Sequence, residues 1–220
     1  MAKTMTLLWG AGSPPCWRVM IALEEKNLQG YNQKLLSFDK MEHKSKEVLD
    51  LNPRGQLPTF KHGNIIVNDS YAVCFYLENQ FKSQGNKLIP DGQEEQAVMY
   101  QRMFEGLTFY DKLNAVIYYD WFVPEGERHD SALKRNKEAL TTELKLWEGY
   151  LQKVCVCKGQ TQTDTACFDL FKLAVFLLSA ERYPKLGEYY NLLKERPSVK
   201  ASWPSHWLEN PKGQDTLKDI

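Results

Sequence analysis

The chain has 220 residues, and its 28 basic and 28 acidic side chains cancel to a formal net charge of zero. That balance removes the main electrostatic reason to expect nucleic acid or an anionic membrane as a partner. A hydrophobic content of 43% with 12% aromatics is that of a globular chain, long enough to bury a core in one large domain or two small ones.

Met5 to Trp9 is a short apolar strand ended by Gly10-Ala11-Gly12. Ser13-Pro14-Pro15 then opens a helix, because a serine hydroxyl caps free amides and proline suits the first helical position. Val19, Ala22 and Leu23 make one apolar face of that helix, which Gly30 stops. Tyr31 to Phe38 reads as a second strand, and Glu42 to Leu51 as a short charged helix. Five cysteines (Cys16, Cys74, Cys155, Cys157 and Cys167) form an odd set with no paired framework, which predicts free thiols in a reducing compartment. Cys155-x-Cys157 has neither a second pair nor a nearby histidine, so no metal site is expected. The first apolar segment is too short for a signal or membrane span, and a cytoplasmic location is expected.

The turn Asn52-Pro53-Arg54-Gly55-Gln56-Leu57-Pro58 precedes a strand beginning near Thr59. Pro58 lacks an N–H and restricts Leu57 to extended conformations. A cis Leu57–Pro58 bond would turn the Leu57 N–H and C=O outward, free to pair with an extended ligand; a trans bond would make an ordinary surface turn. Lys61-His62-Gly63-Asn64 is a hairpin turn leading into Ile65-Ile66-Val67, and Asn68-Asp69-Ser70 starts another helix. The order β-α-β-α-β-β-α predicts an α/β first domain, residues 1–82, with a mixed four-stranded sheet and helices on its faces. Residues 83–92 are turn-rich and read as a linker. From 93 to 220 the pattern is helical, with segments at 93–120, 129–155, 164–179 and 184–195.

Together, a thioredoxin-like first half, a Pro-x-Gly-x-Leu-Pro turn, an acidic-Ser pair opening the next helix and an all-helical second half resemble the cytosolic glutathione transferases. The run Trp9-Gly10-Ala11-Gly12-Ser13-Pro14-Pro15-Cys16-Trp17-Arg18 looks like that of the rho class, and Ser13 with Arg18 is also similar to the serine-using zeta, theta and delta classes. The resemblance implies an enzyme that stabilises the glutathione thiolate and adds it to apolar electrophiles in detoxification. Glutathione would be a co-substrate, with no permanently bound cofactor, in a cytoplasmic homodimer. Two alternatives of the same fold stay open: a non-catalytic carrier or assembly module, and a glutathione-dependent reductase. The reductase is weakened because Ser13 stands where a reactive cysteine would be.

By the same resemblance Ser13 is the catalytic hydroxyl, Leu57 ahead of Pro58 clamps the cysteinyl backbone, and Gln56 touches the tripeptide. Asp69 and Ser70 would meet the γ-glutamyl end, with Asp69 shorter than the family's usual Glu or Gln. His43 and Lys44 would meet the glycyl carboxylate. Arg18 is either structural or tunes the serine's surroundings, and Cys16 packs behind it. The electrophile would lie between the halves, against Phe104, Leu107, Tyr118 and Tyr119, with Tyr110, Leu113 and Trp121 on the same stripe. The tail from Trp203 to Trp207 is expected to pack rather than act as a lid. One stretch departs from the pattern: aligned on Gly159, Thr163 falls at a helix cap and Ala166 where an aspartate belongs, with Asp164 as a substitute cap. Reduced stability rather than lost chemistry is expected from it.

Overall fold

In the computed structural model, which describes residues 4–153, 181–203 and 216–220, the first half contains one four-stranded sheet in the order β2-β1-β3-β4. β1 (Met5–Gly10) runs parallel to β2 (Asn32–Leu36), with Thr6 opposite Asn32 and Gly10 opposite Leu36. β3 (Thr59–His62) is antiparallel to β1, placing Thr59 opposite Leu8, and β4 (Ile65–Val67) returns antiparallel to β3. The central strand carries the core residues Met5, Leu7 and Leu8, whereas β2 at the edge is exposed until Leu36.

α1 (Pro14–Glu25) is the crossover between the two parallel strands. It is buried nearly all round, since α3 (Ser70–Gln80) and the late helix α8 (Pro197–Ser202) pack against it in addition to the sheet. Val19, Ile21, Ala22 and Leu23 are fully covered. Truncating Leu23 to alanine would cost about 2–5 kcal/mol through lost transfer energy and the cavity left behind.

The predicted helix from Glu42 to Leu51 is two pieces. Met41 takes a left-handed conformation, Glu42–Lys44 make a single 3₁₀ turn, and Ser45 is extended before α2 (Lys46–Leu49). After α3, residues of the turn-rich stretch are anchored from below. Lys26, fully buried, pairs with Glu78 at 2.5 Å and donates to the Asn86 carbonyl, while the Leu88 N–H donates to Glu78 at 3.0 Å.

The second half is helical among the described residues. α4 (Gln93–Ile117) ends at Tyr118, where the backbone leaves helical geometry, and α5 (Tyr119–Phe122) restarts it. α6 (Asp130–Lys153) packs on α4 through Leu113, Phe109, Leu140, Leu144 and Trp147, the Phe109 and Trp147 rings standing 5.9 Å apart. α7 (Pro184–Lys194) has no cap of its own; Glu148 of α6 supplies one, accepting from the N–H groups of Lys185 and Leu186 at 2.8 and 3.0 Å. By internal contacts the chain forms two compact units, Met1–Asp91 with Arg196–Asn210, and Gly92–Glu195 with Pro211–Ile220. The predicted helix at 164–179, the atypical run 154–180 and the tail after Trp203 lie outside the described residues. Trp203 itself packs edge-on against Trp17 at 5.0 Å, and the Trp17 indole N–H donates to Ser202.

Candidate functional site

Ser13 is the N-cap of α1, with extended backbone and a side-chain oxygen accepting the Cys16 N–H at 3.4 Å. The two residues between them are prolines and have no N–H at all. The first turn therefore has no free main-chain donor: two are missing and the third is taken by Ser13. A serine hydroxyl has one proton and two lone pairs, so Ser13 accepting from Cys16 keeps its proton to give. At the positive end of a nearly dry helix, that hydroxyl is the donor placed to meet an anion.

Cys16 is closed off. Its sulfur accepts the Gly10 N–H at 3.5 Å, and burial pushes the thiol up to about 11 against the smaller opposing effects of Ser13, Gly10 and the Arg18 charge. It remains a neutral packing group near neutral pH. Cys16 also shares an apolar cluster with Leu8, Leu36, Val48 and Leu57, bordered by Trp9, Phe38 and Leu51. The helix start that carries Ser13 and the turn that carries Leu57 are thus packed, through Cys16 and Leu57, on one shared apolar cluster.

The Leu57–Pro58 bond is cis. Among the described residues neither the N–H nor the C=O of Leu57 has a hydrogen-bond partner. Leu57 is 8% exposed, so these are polar groups in a largely dry setting, where an unmet pair is costly. The turn before it is fixed from within. Asn52, 1% exposed, donates to the Gln56 carbonyl at 2.8 Å and accepts the Arg54 N–H at 3.1 Å. Gly55 closes the turn at φ +56, and a Cβ there would stand 2.8 Å from the Lys44 side chain.

α3 begins beside this turn. Asp69 caps it through Oδ1, which accepts the Ala72 N–H at 2.9 Å. Capping occupies the side chain that the resemblance assigns to an ammonium, so the first use of this shorter carboxylate is local. Ser70 is 4% exposed, and its hydroxyl accepts a short hydrogen bond from the Arg18 guanidinium, which also lies 3.9 Å from the Tyr71 ring centroid. With an acceptor position filled by Arg18, the Ser70 proton points elsewhere, and its N–H at the helix start is also unused. Arg18, itself 2% exposed, ties α1 to α3 through this hydroxyl.

His43 and Lys44 flank the same turn. Lys44 donates to the Arg54 carbonyl at 3.1 Å, and the His43 ring lies 5.1 Å from that of Phe38. His43 Nδ1 is buried without a partner, and its pKa is lowered by burial and then by the Lys44 charge. The Gln56 side chain is exposed, while its carbonyl faces inward.

The stripe on the second unit divides. Phe104 and Leu107 are 65% and 42% exposed on α4, and Trp121 is exposed as well. Leu113 is fully buried core. Tyr119, expected as part of an open lining, is a packing residue: it is 9% exposed and its hydroxyl both accepts the His129 N–H and donates to the His129 carbonyl. Tyr118 is half-buried, and burial raises its phenol. Arg102, in the same turn as buried Met103, stacks 3.6 Å from the Tyr150 ring centroid.

Asn52 and Thr59 escaped the sequence reading. An Asn-Pro pair at the end of a helix is a turn signal, but it does not say which carbonyl the buried amide will hold.

Residues 12–80 match the family model described as glutathione S-transferase, N-terminal domain. Glutathione S-transferase A of the fish Pleuronectes platessa is 67% identical over the full length of both chains. Among solved structures, a glutathione S-transferase from the Antarctic clam Laternula elliptica has a TM-score of 0.85 at 33% identity, covering 99% of this chain and all of that one. A glutathione transferase of Phanerochaete chrysosporium, solved with oxidized glutathione, has a TM-score of 0.76 at 25% identity, covering 94% of this chain and 97% of its own. With a relative this similar along its whole length and the same two-part fold, the chain belongs to the glutathione S-transferase family.

Proposed function

We propose that this protein is a glutathione transferase in which Ser13 stabilises the glutathione thiolate, the nucleophile that attacks apolar electrophiles. The observation that carries the reading is the main chain of Leu57, a donor and an acceptor without a partner among the described residues, in a turn that shares an apolar cluster with Cys16 of the helix Ser13 caps. An extended tripeptide satisfies both groups at once, as an added strand would. Its thiol then meets the Ser13 hydroxyl and loses its proton to solvent water, because the hydroxyl's hydrogen bond to the charged form favours ionisation, helped by the positive end of α1. The thiolate attacks the electrophilic carbon, a C–S bond forms, and the electron pair leaves with the displaced group or settles on the electrophile.

Ser70 and the start of α3 receive the γ-glutamyl carboxylate, Asp69 stands near its ammonium, and His43 and Lys44 receive the glycyl carboxylate, with Gln56 alongside. Arg18 and Cys16 act behind these groups. Residues 1–82 form the glutathione-binding domain, 83–92 the linker and 93–220 the electrophile-binding domain. The exposed Phe104 and Leu107, with Tyr118, supply apolar surface for the electrophile. Assignment to the rho class is supported by the Trp9 to Arg18 run and by the full-length fish relative. A cytoplasmic homodimer acting in detoxification completes the reading; no helix among the described residues is long and apolar enough to cross a membrane.

Two measurements test this together. The protein should be retained on immobilised glutathione and should conjugate a chloronitrobenzene. Retention without conjugation would favour a carrier, and a Ser13→Ala variant with an undiminished rate would remove Ser13 from the reaction.

A further inference from the structure

We infer that Asn52 and Thr59 are positioning residues for glutathione, acting through the Gln56 carbonyl to aim the Leu57 N–H at the ligand. The inference rests on the glutathione reading above.

The argument begins with the peptide plane. The Gln56–Leu57 bond is trans, so its C=O and N–H point in opposite directions across one rigid plane. Whatever fixes the Gln56 carbonyl therefore fixes the direction of the Leu57 N–H. Two buried side chains do so: Asn52 Nδ2 donates to that carbonyl at 2.8 Å, and Thr59 Oγ1 donates to it at 3.2 Å. Both residues are 1% exposed, and the amide and hydroxyl also approach each other at 3.5 Å. With the carbonyl drawn inward by two donors, the Leu57 N–H is turned away from the interior, and among the described residues it meets no protein acceptor.

Asn52 is itself held. Its N–H donates to Val48 at 2.7 Å, its carbonyl accepts from Gly55 at 2.8 Å, and its Oδ1 accepts from Arg54 at 3.1 Å. The end of α2, the turn and the first residue of β3 thus converge on one carbonyl. A turn needs only its own closing bonds to be stable; two further buried donors spent on the peptide before Leu57 point to a demand for direction.

Asn52→Asp keeps shape and the acceptor to Arg54 while replacing the amide donor by an oxygen that repels the Gln56 carbonyl. Thr59→Val is the variant that loses a donor without adding charge, and Thr59→Ser restores that donor. Calorimetric binding of glutathione and steady-state kinetics supply the readouts. Wild type should bind glutathione. Asn52→Asp and Thr59→Val should each weaken it roughly tenfold, the scale of one lost buried hydrogen bond, and raise KM for glutathione while KM for the electrophile stays put. Thr59→Ser should return to near wild type. Ile21→Val, a core change that touches none of these groups, should lower the thermal midpoint and leave glutathione affinity unchanged. The inference is overturned if wild type binds glutathione but both donor variants bind it within twofold of wild type, or if Ile21→Val weakens binding as much as they do. A wild type that does not bind glutathione overturns the functional reading and this inference with it.

Discussion

Replacing Arg196 by alanine should destabilise the first unit by about 2–3 kcal/mol, a figure that follows from what the guanidinium holds. Its Nε and Nη2 reach one oxygen of Glu25 at 3.1 and 2.7 Å, and the Ser198 hydroxyl donates to that same oxygen. Asn86 donates to the other oxygen at 2.7 Å. The Glu25 side chain is 4% exposed and that of Arg196 17%. Removing one partner of a fully buried pair costs about 3–5 kcal/mol, because the other charge is stranded. Here Ser198 and Asn86 keep their bonds and Arg196 is partly open to water, which lowers the figure.

Urea unfolding followed by far-UV circular dichroism measures the loss, and calorimetry should show a midpoint drop of roughly 5–10 °C for a chain of this size. Acidity supplies the discriminating arm. Burial alone would raise the Glu25 carboxyl, but Ser198, Asn86 and Arg196 more than offset it and leave the pKa below the ordinary value. A group depressed on folding adds stability above its unfolded pKa and loses it as pH falls through its folded one. The gap between wild type and Arg196→Ala should therefore be full at pH 7 and shrink on acidification. A variant within about 0.5 kcal/mol of wild type at pH 7, the range of an ordinary surface change, would refute the latch. So would a loss that does not change with pH.

Other outcomes follow from the same contacts. Glutathione binding should raise the His43 pKa, since a carboxylate brought beside a ring held low by burial and Lys44 favours its charged form; an NMR titration showing no rise would remove His43 from the glycyl site. Cys16, held near 11, should resist iodoacetamide at pH 8 in the folded protein, and Cys16→Ala should keep most of the conjugation rate. Rapid alkylation with loss of activity would contradict the packing role. Gly85→Ala should cost more than about 1 kcal/mol, because φ is +63 and the new methyl would meet the Glu25 carbonyl and lie 2.6 Å from Lys26 Cα; an unchanged midpoint by calorimetry would be contrary.

What could be read from the residues was what is encoded locally. Ser13-Pro14 announced a helix start because capping and proline preference both act within one turn, and Asp69 announced α3 for the same reason. The strands around Leu7, Phe60 and Ile66 were visible as short apolar runs bounded by glycine turns. The helix drawn through Ser45 failed because Met41 goes left-handed and Ser45 extended, and Val48 just beyond them is packed into the apolar cluster. α8 was missed altogether: a six-residue helix is held by the sides of Trp17 and Glu25, up to 185 positions earlier, rather than by its own propensity. Ser13, Leu57 and Ser70 stand as candidates from spacing and resemblance. The Arg18 bond to Ser70 and the Asn52 hold on Gln56 were not legible, since each depends on which buried donor faces which acceptor after folding.

The central claim is that the Ser13 hydroxyl ionises bound glutathione, and the absence of free amides in the first turn of α1 leaves no main-chain substitute for it. The direct measurement is a pH titration of the bound thiol by ultraviolet difference absorbance, in wild type and in Ser13→Ala saturated with glutathione. Wild type should ionise the thiol below the pH at which free glutathione does, and Ser13→Ala should return it toward the free value with about a hundredfold loss of conjugation rate, the scale of one lost oxyanion donor. An alanine variant that binds glutathione, ionises it as wild type does and conjugates at the same rate would contradict the account.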